Sequence, residues 1–213
     1  MEIKKFEFNP FPENTYIVWD KDTKEGIIID AGCYYTDEKE SLSGYIQNKG
    51  INIKHLLATH LHLDHNFGSP YISKYLNIPL EASQKDEFLL SGMKEQASMF
   101  GMQLPDEPIP IGHYIDEGSE FRIGKYTIRT IAVPGHSPGS LVYYSPEAQV
   151  AFVGDVLFQG SIGRTDLPGG SYTQLVTGIK EKLFSLPNDT IVFSGHGPAT
   201  TIGYEKENNP YLT

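Results

Sequence analysis

Cysteine is all but missing from this chain of 213 residues. Cys33 stands alone, so no intrachain disulfide can brace the fold, and a reducing compartment suits such a chain. No apolar run is long enough to span a bilayer. The opening MEIKKFEFNPF has none of the apolar character of a secretory signal. The expectation is a soluble cytoplasmic protein with no membrane partner. Concentrated positive charge is missing as well. The formal net charge is −10 and the densest basic pair is Lys4-Lys5, whereas a nucleic-acid backbone is bound by a concentrated basic surface. Nuclease function and nucleic-acid partners are thereby disfavoured.

What is present is enough for a core. Hydrophobic residues make up 39% of the chain, with 13 tyrosines and 11 phenylalanines, so one domain over residues 1–213 is expected. No internal repeat or low-complexity segment occurs. Short β-rich runs read as strands over Asn14–Trp19, Gly26–Asp30, Lys54–Thr59, Tyr126–Val133, Ser140–Ser145, Val150–Gly154 and Thr190–Ser194. Ile27-Ile28-Ile29 and Ala151-Phe152-Val153 are continuous apolar runs, the pattern of strands buried on both faces. Helices are expected over Glu38–Lys49, Ser69–Leu76, Lys85–Phe100 and Tyr172–Ser185. Gln103–Gly118, with three prolines and two glycines, reads as a surface loop, and Gly203–Thr213 as an irregular polar tail. Strands interleaved with helices that can cover sheet faces imply a layered α/β or α+β domain.

The most informative stretch is Thr59-His60-Leu61-His62-Leu63-Asp64-His65. Three imidazoles and a carboxylate fall within six positions, and these are the ligands that zinc and other borderline first-row metals prefer. His60 and His62 are two apart and point the same way in an extended segment. Asp64 and His65 follow where the chain turns and can face a second position. One short loop could hold two metal ions.

Three further candidates sit just after predicted strands among small residues. His136 lies in Pro134-Gly135-His136-Ser137-Pro138-Gly139, Asp155 follows Gly154, and His196 lies in Ser194-Gly195-His196-Gly197-Pro198. Taken alone, either histidine reads as an ordinary turn or core residue, and Asp155 as a cap or turn residue. Beside the His60–His65 run, a ligand role is the stronger reading, because ligands delivered from strand ends into loops build a site at a sheet edge. His55 and His113 lack such neighbours and read as structural or surface residues.

These segments, in this order, resemble the metallo-β-lactamase superfamily, and Asp30 in Ile28-Ile29-Asp30-Ala31-Gly32 resembles its early Asp-x-Gly segment. The likeness spans roughly residues 10–210. Within the superfamily it runs to the short, single-domain bacterial branch of the glyoxalase II-like hydrolases. Its carriers there are Pro134–Ser140, Gly154–Gly170, Ser194–Thr201 and the Glu207–Leu212 tail. The resemblance implies an α+β fold, an αββα sandwich of two mixed sheets flanked by helices with the metals at one edge. It implies that His60, His62 and His136 bind one metal, that Asp64, His65 and His196 bind the second, and that Asp155 bridges them, while Asp30 supports the site without binding. Asp64 and Asp155 are the carboxylates expected to serve catalysis. The cofactors would be two divalent ions, zinc first, with iron and manganese also suited to these ligands. Metal coordination lowers the pKa of bound water from about 15.7 to about 7. The implied activity is therefore hydrolysis of a 2-hydroxyacyl thioester by a metal-bound hydroxide, with no serine or cysteine nucleophile; Cys33 lies outside every motif.

The chain departs from the glutathione-thioester hydrolases in two respects. No C-terminal helical domain is expected after His196, and Gly197-Pro198 stands where those enzymes have Glu-Tyr. The expected substrate is S-lactoylglutathione or a 2-hydroxyacyl thioester of another low-molecular-weight thiol. Arg164, in Gly163-Arg164-Thr165-Asp166, is a candidate substrate-carboxylate ligand; the alternative is a structural pair with Asp166. Two other activities share the fold. An iron-dependent persulfide dioxygenase would use His62, His136 and Asp155, and a lactonase or β-lactamase would use the hydrolase site.

Overall fold

The computed structural model describes residues 1–213. Two six-stranded sheets face each other. The first is built from β1 (Glu2–Phe8), β2 (Glu13–Trp19), β3 (Glu25–Ile29), β4 (Asn52–Leu57), β5 (Leu80–Ala82) and β6 (Ile111–Tyr114), in that spatial order. The first three run antiparallel, and the pairs from β3 to β6 are parallel. The second sheet comprises β7 (Glu120–Ile123), β8 (Tyr126–Ala132), β9 (Leu141–Ser145), β10 (Val150–Gly154), β13 (Ile191–Ser194) and β14 (Thr200–Thr201), ordered β14-β13-β10-β9-β8-β7. A hairpin of β11 (Leu157–Phe158) and β12 (Ser161–Ile162) lies outside both sheets. The helices are α1 (Thr36–Lys49), α2 (Ser69–Leu76), α3 (Glu87–Ser91), α4 (Met93–Met99), α5 (Tyr172–Glu181) and α6 (Ile202–Asn208).

The period-two geometry of a strand explains the layers. Ile27 and Ile29 pack between the sheets with Leu57, Phe121, Tyr143 and Phe152. Ile28, between them in sequence, points the other way into a cluster with Leu42 and Ile46 of α1 and Ile72 of α2. In the second sheet, Val150 and Phe152 face the inter-sheet core, while Ala151 and Val153 face Leu175 and Ile179 of α5 and Ile202 of α6. Each continuous apolar run thus feeds two layers, and the order is helix, sheet, sheet, helix. Each isoleucine buried this way contributes on the order of 2 kcal/mol.

Three elements differ from the sequence reading. The helix expected over Lys85–Phe100 is divided at Gly92, with a 3-10 turn over Gln84–Asp86 before α3 and α4. Glycine weakens helix continuity, and the bend sends Leu89 into the core beneath the first sheet while Met93 and Ala97 pack on Leu63 and Phe67. The segment Gln103–Gly118 is not all loop, since Ile111–Tyr114 pairs in parallel with β5 as an edge strand. The tail is not irregular, since Ile202–Asn208 is helical. Thr201 caps that helix and the buried Glu205 accepts from Thr200 Oγ1, Gly160 N and Asn209 Nδ2. Thr200 and Asn209 are local partners, but Gly160 comes from a distant segment, and that long-range contact is not visible in the sequence. No helix is long and apolar enough to cross a membrane.

Candidate metal centre

Topology brings the candidate ligands to one edge. β10 and β13 are parallel, and β8 and β10 both run antiparallel to β9, so all three strands end on the same side. His136, Asp155 and His196 follow those three ends, and the loop after β4 brings His60 to His65 to the same place. Asn66 holds that loop in shape by donating from Nδ2 to the carbonyls of His60 and His62, at 3.0 and 2.9 Å.

Two triads result. In the first, His136 Nε2 lies 2.8 Å from His62 Nδ1 and 3.2 Å from His60 Nε2. In the second, Asp64 Oδ2 lies 3.2 Å from His196 Nε2 and 3.7 Å from His65 Nε2. Asp155 stands between them. Its Oδ2 is 3.6 Å from both His136 Nε2 and His196 Nε2, and its Oδ1 is 3.3 Å from His65 Nε2. All seven residues named from the sequence therefore converge, whereas His55 and His113 sit apart, beside Glu81.

The donor set fits metal ions. A tetrahedral ion with nitrogen bonds of about 2.0–2.1 Å spaces its ligand nitrogens about 3.4 Å apart, close to the spacings of the first triad. His65 Nε2 and Asp155 Oδ1, which face the cluster, are buried without any hydrogen-bond partner, and each such orphan costs about 1–3 kcal/mol. The far side of four rings is meanwhile committed to oxygen. His136 Nδ1 donates to the Arg164 carbonyl at 2.8 Å and His196 Nδ1 to the Pro12 carbonyl at 3.1 Å. A carbonyl only accepts, so these bonds keep the Nε2 lone pairs free for a ligand role. His60 Nδ1 meets Thr59 Oγ1 and His65 Nδ1 meets Asp30 Oδ2, both at 3.0 Å.

Burial, then the neighbouring imidazoles, pushes His60 well below its usual pKa. The same causes, burial first and His136 next, lower His62 to about 4. A lowered pKa favours the neutral ring that metal ligation requires. Burial works against a charge on His65 too, but Asp64, Asp155 and Asp30 outweigh it and raise that ring well above the usual value. Burial opposes ionisation of Asp155 as well, yet His65 and the other histidines hold it ionised.

Arg164 contributes through its backbone. Its guanidinium makes two bonds to Asp166, at 2.8 and 2.7 Å, on an exposed turn. Cys33 is fully buried, and burial raises its thiol to about 12, which makes it inert. Several supporting residues escaped the sequence reading. Asn14 donates from Nδ2 to the carbonyls of Ser194 and Gly197, and Tyr16 Oη donates to Ser194, so the start of β2 holds the His196 loop. Glu13 is wholly buried, accepts from Thr15 Oγ1 and lies 4.0 Å from His65 Nδ1. Burial raises its pKa well above the usual carboxyl value. The available signal was three polar residues, Glu13-Asn14-Thr15, heading an apolar strand.

The sequence profile of the Metallo-beta-lactamase superfamily matches residues 8–196. The chain belongs to that superfamily. Its relatives include a hydroxyacylglutathione hydrolase, GloC, of Haemophilus influenzae, 39% identical over all of this chain and 98% of the relative. The solved structure of the B3 metallo-beta-lactamase BLEG-1 superposes with a TM-score of 0.90 at 36% identity, covering all of both chains. That of TTHA1623 in a di-iron-bound form gives 0.86 at 35% identity, covering 98% of this chain and all of the other. The expected superfamily, its fold of two mixed sheets flanked by helices and its histidine clusters are all present, and the chain is a metallo-hydrolase of this superfamily.

Proposed function

We propose that this metallo-β-lactamase-fold protein is a dinuclear hydrolase of 2-hydroxyacyl thioesters, acting as one domain over residues 1–213 on a small cytoplasmic substrate. The observation that carries the dinuclear reading is the place of Asp155, with one oxygen 3.6 Å from a histidine of each triad. His60, His62 and His136 would hold one ion, Asp64, His65 and His196 the other, and Asp155 both. Zinc suits this donor set, as do iron and manganese, and the di-iron form of TTHA1623 keeps iron in view. When bound, the pair supplies Lewis acidity to a substrate carbonyl and activates water at neutral pH.

The chain's own residues do the rest. Asp64 and Asp155 bring negative charge that favours two cations side by side. The carbonyls of Arg164 and Pro12 hold His136 and His196 in the tautomer with Nε2 free. Hydrolysis breaks the acyl C–S bond, joins the oxygen of water to the acyl carbon and releases a thiol and a 2-hydroxy acid. The thioester reading is supported by the full-length likeness to a hydroxyacylglutathione hydrolase. Gly197-Pro198 leaves no tyrosine hydroxyl beside His196 for a glutathione carrier.

A panel of lactoyl esters of glutathione and of other small thiols, given to protein of known metal content, tests this. Turnover of at least one ester with two metals bound is expected. Inactivity on every lactoyl-thiol would sink the thioester reading. Hydrolysis of a β-lactam instead would align the chain with BLEG-1, and oxygen uptake with a persulfide on a single iron would make it a dioxygenase.

A further inference from the structure

Outside both triads, one buried carboxylate joins the two loops that carry the histidines of the first. Asp86 closes the 3-10 turn before α3 and has no exposed surface. Its Oδ2 accepts from the backbone N–H of Leu61 at 3.2 Å and from Ser137 Oγ at 2.7 Å. Its Oδ1 accepts from the backbone N–H of Gly139 at 2.6 Å. Leu61 separates His60 from His62, and Ser137 follows His136. The carboxylate has no cation beside it, so these three donors are what compensate its burial.

The contact is close as well as bonded. A Cβ on Gly139 would lie 2.6 Å from Asp86 Cγ, so only glycine lets the His136 loop come this near. Ser137 Oγ also meets Ser140 Oγ at 2.8 Å, and Ser140 Oγ accepts from Ser137 N. The hydroxyl is thus pinned at both ends. No comparable link ties the His136 loop to Asp64, His65 or His196, and Asp86 itself belongs to neither triad.

We propose that Asp86 is a positioning residue that sets the distance between the His60–His62 loop and the His136 loop. It thereby tunes the affinity of that one metal position separately from the other. The proposal rests on the ligand assignment of the preceding section. Residues that orient ligands from behind commonly carry 10- to 100-fold in metal affinity.

Two backgrounds separate the positions. His196→Ala leaves the His60/His62/His136 position as the intact one, and His60→Ala leaves the other. Zinc affinity is read in each by competition with a chromophoric chelator, with and without Asp86→Asn. The amide keeps the shape but replaces one acceptor oxygen by a donor. Asp86→Asn is expected to weaken zinc by about 10- to 100-fold in the His196→Ala background and to leave it unchanged in the His60→Ala background.

Ser137→Ala, which removes one bond and keeps the carboxylate, is expected to cost about 2- to 10-fold in the first background alone. It carries the test by itself if Asp86→Asn does not fold. Unchanged affinity in both backgrounds, or an equal loss in both, would assign Asp86 to general stability and overturn the proposal. Fewer than two zinc ions on the parent protein would instead strike at the ligand assignment, and the proposal would fall with it.

Discussion

Asp30 Oδ2 lies 3.0 Å from Nδ1 of His65 and at the same time accepts from Thr59 Oγ1 at 2.7 Å. Since the Thr59 hydroxyl gives its proton to Asp30, it is free to accept from His60 Nδ1. One carboxylate therefore orients a histidine of each triad, His65 directly and His60 through Thr59. Its other oxygen accepts from Thr59 N at 2.6 Å. Asp30 does this from a left-handed backbone conformation, φ 54°, which costs a non-glycine residue about 1–2 kcal/mol.

Asp30→Asn is expected to weaken metal binding at both positions, more at the one served by His65, by about 10- to 100-fold. Titration of the metal-free variant with zinc checks this. Wild-type affinity at both positions would mean that packing alone sets the two rings.

Gly195 offers a steric test of the same edge. A Cβ there would meet Asp155 Oδ1 at 2.3 Å and His65 Cε1 at 2.6 Å. Overpacking of this kind costs about 1–3 kcal/mol. The two groups it displaces are candidate ligands, so Gly195→Ala should lose metal along with stability. Metal content by mass spectrometry, beside a thermal melt, reads both. A variant that folds and keeps two ions per chain would show that Asp155 and His65 have more room than their positions here allow.

What was legible in the sequence was whatever is local. Ile27–Ile29 and Ala151–Val153 announce strands buried on both faces within three residues each, and they are such strands. The His60–His65 run needs no partner to be noticed, and beside it His136, Asp155 and His196, each just after a strand among small residues, read as further ligands. What escaped depends on contacts between distant segments. Asn14 matters because it reaches Ser194 and Gly197, and Glu205 because it reaches Gly160. The edge strand Ile111–Tyr114 exists because β5 offers it a partner. Glycine at position 92 was visible, but whether a helix bends there depends on the two separate clusters that Leu89 and Met93 enter.

Arg164→Ala distinguishes the two roles open to that residue. The bond that serves His136 comes from the backbone carbonyl and survives the substitution. The guanidinium is exposed and paired with Asp166, whose pKa that pairing lowers to about 2. Exposed pairs contribute about 0–1 kcal/mol. Little change in Tm, an intact metal content and a change of less than about threefold in kcat/KM are expected, since about threefold corresponds to some 0.6 kcal/mol. A rise in KM of about tenfold at constant kcat would reassign the guanidinium to a substrate carboxylate.

Removal of metal should be felt in the fold itself. The two triads and Asp155 place two carboxylates and five imidazoles against one another at the sheet edge, and Asp30 adds a third carboxylate beside His65. Two buried atoms facing that cluster, His65 Nε2 and Asp155 Oδ1, have no partner. An ion that binds only the folded chain stabilises it by about 2.7 kcal/mol when present at about 100 times its Kd. For a chain of this length that corresponds to a rise in Tm of about 5–11 °C per occupied position. Dialysis against a chelator should lower Tm by about twice that amount, since two positions empty, and adding zinc back should restore it in two steps of occupancy. Should Tm stay the same through removal and return, the paired clusters would not be metal sites and the hydrolase proposal would lose its chemistry.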